Sequence, residues 1–111
     1  MFTTTPFSAW ELNDSLQDGL AAIGWEFSTE VQRDTIPLAL TGKDIIGQAR
    51  TGSGKTAAFG LPTMNWCQPT GELQALILTP TRELANQVAE EFINIKGDLG
   101  LKIITVYGGT D

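Results

Sequence analysis

The sequence has 111 residues, 41% of them hydrophobic and 18% charged, which suffices for the apolar core of one domain and excludes two complete ones. Thirteen acids against seven bases, a formal net charge of -6, argue against a basic nucleic-acid coat protein and a polybasic membrane binder. With no histidine and only Cys67, a histidine-based triad, a Cys/His zinc centre and an internal disulfide are ruled out.

The N-terminal run Met-Phe-Thr-Thr-Thr-Pro-Phe carries no basic stretch, and no apolar run approaches the ~18 residues of a membrane span. The expectation is a cytoplasmic protein without a membrane partner. Residues 1–42 hold six acids and one base, Arg33, whereas residues 43–111 hold seven acids and six bases. Any contact with a polyanion is therefore local, and most of the basic side chains sit in the second part.

In chain order, Leu12, Leu16, Leu20 and Ile23 recur at helical spacing before Gly24, which predicts a helix over 11–23 stopped by a glycine. Thr29 and Gln32 have capping-box spacing, so a second helix starts at Ser28-Thr29 and runs past Pro37, a kink position, to Thr41-Gly42. Asp44 to Gly47 reads as a short strand. A Gly-rich loop follows, then a helix from Thr56 to about Cys67. Leu73 to Thr79 reads as a buried strand, and Leu84, Val88, Phe92 and Ile95 mark the face of another helix. After the turn at Gly97 to Gly100, Leu101 to Tyr107 reads as a third strand. Strands alternating with helices predict an α/β fold with parallel pairing and right-handed crossovers, preceded by a helical N-terminal segment.

Ala49-Arg50-Thr51-Gly52-Ser53-Gly54-Lys55-Thr56 lies between a predicted strand and a predicted helix, where a phosphate loop must lie. Gly52 and Gly54 let backbone N–H groups turn toward phosphates, the helix N-terminus adds partial positive charge, and Lys55 supplies a cation. Thr56 offers a hydroxyl to Mg²⁺. A mere Gly/Ser/Thr turn would have no reason to place Gly-Lys-Thr at a helix start. Arg50 is open between a solvated side chain and a functional one. The general G-x-x-x-x-G-K-[ST] pattern fails at its first position, which is Ala49.

Taken with its neighbours, the loop resembles motif I of the DEAD-box RNA helicases of superfamily 2, A-x-T-G-x-G-K-T, for which Ala49 is the expected residue. The family's Q motif is matched by Gly24, Thr29, Val31 and Gln32, with Phe7 as the isolated aromatic 17 residues before the glycine. Ser28 departs from the pattern, which has proline there. Pro80-Thr81-Arg82-Glu83-Leu84-Ala85 matches motif Ia without a change, and Gly108-Gly109 matches the family's glycine doublet.

The resemblance runs from Phe7 to Gly109. It implies a three-layer P-loop (RecA-like) parallel sheet, incomplete, with a helical Q-motif segment at 1–42 and the first part of the ATP-binding domain at 43–111, cut before the Asp-Glu-Ala-Asp motif. It implies ATP and Mg²⁺ as cofactors: Phe7, Gln32 and residues 49–56 hold the nucleotide, Lys55 and Thr56 serve catalysis, and Thr56 takes the metal. RNA is the implied partner, held mainly through its backbone by Pro80, Thr81, Arg82, Glu83, Gly108 and Gly109.

Each role has a plainer counterpart. Gln32 has the donor and acceptor to read an adenine edge, or is a helix-surface amide; Phe7 stacks on a base, or anchors the N-terminal arm. Thr81 with the first-turn N–H groups receives an RNA phosphate, or is an ordinary N-cap beside a solvated Arg82-Glu83 pair. Trp10, Trp25 and Trp66 fit core or helix-docking roles better than a base-stacking platform, and Cys67 fits a small buried apolar residue. The leading functional expectation is the N-terminal part of an ATP-dependent RNA helicase, itself without turnover because no Asp-Glu-Ala-Asp strand is present. The alternatives are a binding module that does not hydrolyse nucleotide, or another P-loop helicase or kinase.

Overall fold

The computed structural model describes residues 2–42, 54–70 and 72–106. The chain opens with β1, Phe2–Pro6, and a 3-10 turn, Phe7–Ala9; then come α1, Asp14–Ala22, β2, Phe27–Thr29, and α2, Glu30–Leu40. After the undescribed stretch follow α3, Lys55–Trp66, and α4, Arg82–Lys96.

Local chemistry sets most of these boundaries. The α1 helix starts after Asn13, later than its apolar face suggests, because the Asn13 side chain accepts from the Leu16 N–H at 2.9 Å and fixes the cap there. It stops as expected. Gly24 takes a φ of 81°, its N–H donates to the Ala21 carbonyl at 3.1 Å, and the Trp25 N–H donates to Leu20 at 2.9 Å, the paired bonds of a Schellman stop. The Thr29 and Gln32 capping box is present at the start of α2, and the helix continues through Pro37 to Leu40.

The N-terminal segment is not wholly helical. β1 and β2 form an antiparallel pair, with Phe2 opposite Thr29 and Pro6 opposite Phe27. Ser28, in the position where the family pattern has proline, is fully buried and joins the two strands: its hydroxyl donates to the Thr5 carbonyl at 2.8 Å, and Thr3 Oγ1 donates to the Ser28 carbonyl at 3.0 Å.

The core is built from one face of each helix. Leu16 and Leu20 of α1, Ile36 of α2, Leu61 of α3, and Phe92 and Ile95 of α4 are all buried in one cluster. Two helix crossings are unusually close. An added Cβ on Gly19 of α1 would collide with the Ile95 carbonyl oxygen of α4, and one on Gly60 of α3 would come within 2.5 Å of the Phe92 ring. Backbone and ring occupy the space a larger residue would need.

The predicted parallel sheet is not found among the described residues. The expected strand at Asp44 to Gly47 lies outside them, and neither 73–79 nor 101–106 is paired as a strand; the one sheet there is β1–β2. A strand's backbone groups are satisfied by neighbouring strands, and apolar periodicity in one segment does not supply a neighbour. The period of two survives in part: Leu101 and Ile103 pack against the core, while Ile104 and Val106 are exposed. Leu73 and Leu78 are exposed by 87% and 85%, so this segment shows the apolar side chains without the burial expected of a central strand.

Candidate functional site

The start of α3 is the best-defined part of the site. Gly54 is its N-cap, with φ 86° and ψ 17°, a left-handed conformation that suits glycine, and no side chain caps the helix. A glycine cap offers no side chain to the first-turn N–H groups, and a helix N-terminus of this kind is receptive to anions. Lys55 is exposed and Thr56 half-buried. Ala49, Arg50, Thr51, Gly52 and Ser53 lie outside the described residues.

Gln32 is joined to this point. It is 1% exposed; its Oε1 accepts from the Thr29 N–H at 2.8 Å and its Nε2 donates to the Gly54 carbonyl at 3.1 Å. One side chain therefore closes the cap of α2 and holds the N-cap residue of α3. The surface-amide reading of Gln32 fails on this burial. An amide oxygen has two lone pairs and an amide nitrogen two hydrogens, so one of each remains beyond these two bonds.

Phe7 sits elsewhere in the segment. Its ring is 3% exposed, edge-on to Trp10 at 5.6 Å and stacked on Trp25 at 6.1 Å. It borders a cleft of about 370 Å³ with Gln17, Gly24, Trp25 and Glu26, and Gln32 is not among the residues lining that cleft. Gln17 holds the 3-10 turn here through bonds from Nε2 to the Phe7 and Trp10 carbonyls. Phe7 therefore anchors the arm between the two tryptophans.

Thr81 caps α4, its Oγ1 accepting from the Leu84 N–H at 3.1 Å. Pro80, Thr81, Arg82 and Glu83 are all exposed at this helix start, so the N-cap role and an accessible surface coexist. Gly108 and Gly109 lie outside the described residues. Trp10 and Trp25 pack against the core as expected, whereas Trp66 at the end of α3 is half exposed and Cys67 is only partly buried.

Sequence reasoning missed Glu91. Burial pushes the carboxyl of this α4 residue above its usual range, and the Thr56 side chain partly offsets that rise. In the sequence it is one of two adjacent acids, Glu90-Glu91, with nothing to separate it from a solvated pair. Among the described residues no group of three or more potential metal-ligating side chains occurs.

The order of these elements matches a known family. A model described as DEAD/DEAH box helicase matches residues 29–111. The chain belongs to this family. It is 48% identical over 108 residues to the ATP-dependent RNA helicase CshA of Listeria monocytogenes, a match covering 96% of the chain and 21% of that protein. It is 50% identical over 106 residues to the RNA helicase CrhR of Synechocystis, covering 96% and 22%. Among solved structures, a DEAD box protein from Methanococcus jannaschii superposes with a TM-score of 0.91 at 41% identity, covering all of this chain and 31% of that one. The RNA helicase Prp28 from Chaetomium thermophilum, bound to ADP, gives 0.80 at 39%, covering 96% and 28%. The DEAD-box chain thus spans about a fifth of the length of the curated relatives it matches. Its α/β architecture is that of their RecA-like domain. No helix among the described residues is long and apolar enough to cross a membrane.

Proposed function

We propose that this DEAD-box chain carries the adenine-recognition, phosphate-loop and first RNA-contact elements of a cytoplasmic ATP-dependent RNA helicase, in which nucleotide binding and hydrolysis drive local RNA unwinding. The observation that carries the reading is the buried Gln32 amide, bonded at once to the Thr29 cap and to Gly54, where Gly-Lys-Thr opens α3. This ties the Q-motif segment at 1–42 to the phosphate loop. The likeness to a helicase bound to ADP supports the same assignment.

In this reading residues 49–54 wrap the phosphates with backbone N–H groups and Lys55 neutralises their charge. Gln32 turns its remaining donor and acceptor to adenine, and Phe7 contributes by anchoring the arm against Trp10 and Trp25. The donor set suits a hard cation, since Thr56 offers a hydroxyl oxygen on the first turn of α3. Bound Mg²⁺ would offset phosphate charge there. Pro80 to Glu83 at the start of α4, with Gly108 and Gly109, take the RNA backbone without reading sequence. The chain itself is expected to bind without turnover, because its 111 residues contain no Asp-Glu-Ala-Asp run to place the attacking water.

Two binding measurements test this. Lys55→Ala should weaken ADP binding by ~1.5–3 kcal/mol, the range for hydrogen bonds to charged groups, as read by titration calorimetry. Equal affinities would sink the phosphate-site assignment. The unmutated chain should also prefer ADP over GDP by ~1–3 kcal/mol, because guanine reverses the donor and acceptor order and leaves buried groups unpaired. Gln32→Ala should shrink that preference, and indifference of the unmutated chain to the base would remove Gln32 from base recognition.

A further inference from the structure

The pairing of β1 with β2 leaves one peptide unit gripped at both ends. The planar trans peptide between Ser28 and Thr29 points its C=O and its N–H in opposite directions. Thr3 Oγ1, on β1, donates to the Ser28 carbonyl at 3.0 Å, and on the other side the Thr29 N–H donates to Gln32 Oε1 at 2.8 Å. The Gln32 amide carries the chain of bonds onward, its Nε2 donating to the Gly54 carbonyl at 3.1 Å.

The protons run in one direction. A hydroxyl has a single proton to give. Ser28 donates its own to the Thr5 carbonyl at 2.8 Å, while Thr3 Oγ1 accepts from the Thr5 N–H at 3.1 Å and gives its proton to the Ser28 carbonyl. Every group between the Thr5 N–H and the Gly54 carbonyl thus accepts on one side and donates on the other, an arrangement in which hydrogen bonds polarise one another. Ser28 is fully buried and Gln32 is 1% exposed, so water is a poor substitute for a partner lost here. Without the Thr3 hydroxyl the Ser28–Thr29 peptide is free to tilt, and the Gln32 carboxamide, which is oriented by the Thr29 N–H, tilts with it.

We infer that Thr3 is a positioning residue for base recognition: acting through the Ser28–Thr29 peptide, its hydroxyl fixes the plane of the Gln32 carboxamide, and with it the donor and acceptor that Gln32 has left for the base. This rests on the reading of Gln32 as the adenine-recognising side chain and extends it to a strand that lies before Phe7, the first of the motif residues. Base discrimination thereby depends on the N-terminal arm being seated on β2.

The test measures the affinity of the 111-residue chain for ADP, GDP and inorganic pyrophosphate by titration calorimetry. Thr3→Val keeps the β-branched shape that suits a strand and removes the hydroxyl; Thr3→Ser keeps the hydroxyl. The expected result is that Thr3→Val reduces the preference for ADP over GDP about fivefold, the scale of one net hydrogen bond, and changes pyrophosphate affinity by less than about twofold. Thr3→Ser should retain the preference of the unmutated chain, and Thr3→Val should take nothing further from it in a Gln32→Ala background. An unchanged preference in Thr3→Val, equal losses for all three ligands, a Thr3→Ser as impaired as Thr3→Val, or additivity with Gln32→Ala would overturn the inference. Two controls separate the levels: if the unmutated chain does not distinguish ADP from GDP, or Gln32→Ala leaves the preference intact, base reading by Gln32 is itself refuted and the role of Thr3 falls with it. If Gln32→Ala removes the preference and Thr3→Val does not, only the role of Thr3 is lost.

Discussion

Phe92→Ala is expected to destabilise the chain by ~3–5 kcal/mol, the range for removing a buried phenylalanine ring. The ring is 4% exposed, covers Gly60 and packs against Phe59, so its loss leaves a hole along the seam between α3 and α4. Glycine at position 60 has no side chain with which to collapse into that hole. A domain of this size holds roughly 5–15 kcal/mol in all, so the variant should lose a large fraction of its stability. Urea unfolding followed by circular dichroism reads this directly. A loss under ~1 kcal/mol would mean that the two helices do not depend on the ring for their joint.

Gly19→Ala carries the opposite sign from what its place in the sequence suggests. Alanine replacing glycine inside a helix ordinarily stabilises by ~1 kcal/mol. Here the added methyl would run into the Ile95 carbonyl oxygen, with the Ile95 carbon at 3.0 Å and the Gly97 nitrogen at 3.2 Å. These are backbone atoms at the end of α4, which no rotamer change can move aside. The helix pair must separate, and overpacking of this kind costs ~1–3 kcal/mol. The same unfolding measurement decides: a midpoint shifted to lower urea supports the close crossing, and a shift to higher urea would show that α1 does not pack on α4 in this way.

The consequence of this crossing reaches the site. α1 belongs to the N-terminal segment that includes Gln32, and α4 packs through Phe92 on Gly60 and Phe59 of α3, the helix whose first turn carries Lys55 and Thr56. Loosening either helix joint should weaken nucleotide binding without touching a nucleotide-contacting residue.

Local spacing made several features legible. The Thr29 and Gln32 box, the Gly24 stop, the Thr81 cap and the Gly-Lys-Thr opening of α3 each involve residues at most five apart. Their hydrogen bonds close within one turn and depend little on the rest of the chain. Helical periodicity likewise named Leu16, Leu20, Phe92 and Ile95 as core residues. The motifs and their order pointed to the family for the same reason, since each is a short run of defined chemistry.

What the amino-acid sequence determined by itself was therefore the caps, the apolar helix faces and the kind of chemistry at each motif. Tertiary structure alone decided the rest. The pairing of β1 with β2 joins residues 21 to 27 apart, and the burial of Ser28 follows from it; no local pattern in Phe-Thr-Thr-Thr-Pro specifies that partner. Leu73 to Thr79 and Leu101 to Tyr107 have the apolarity of strands, but strand pairing is a property of two segments, and their described residues are unpaired. Gln32 as the tie between two helices and Phe7 as an anchor between two tryptophans both depend on which surfaces meet when helices pack. A sequence lists the groups able to form such contacts, and only the packed chain selects among them, because burial removes water as the competing partner.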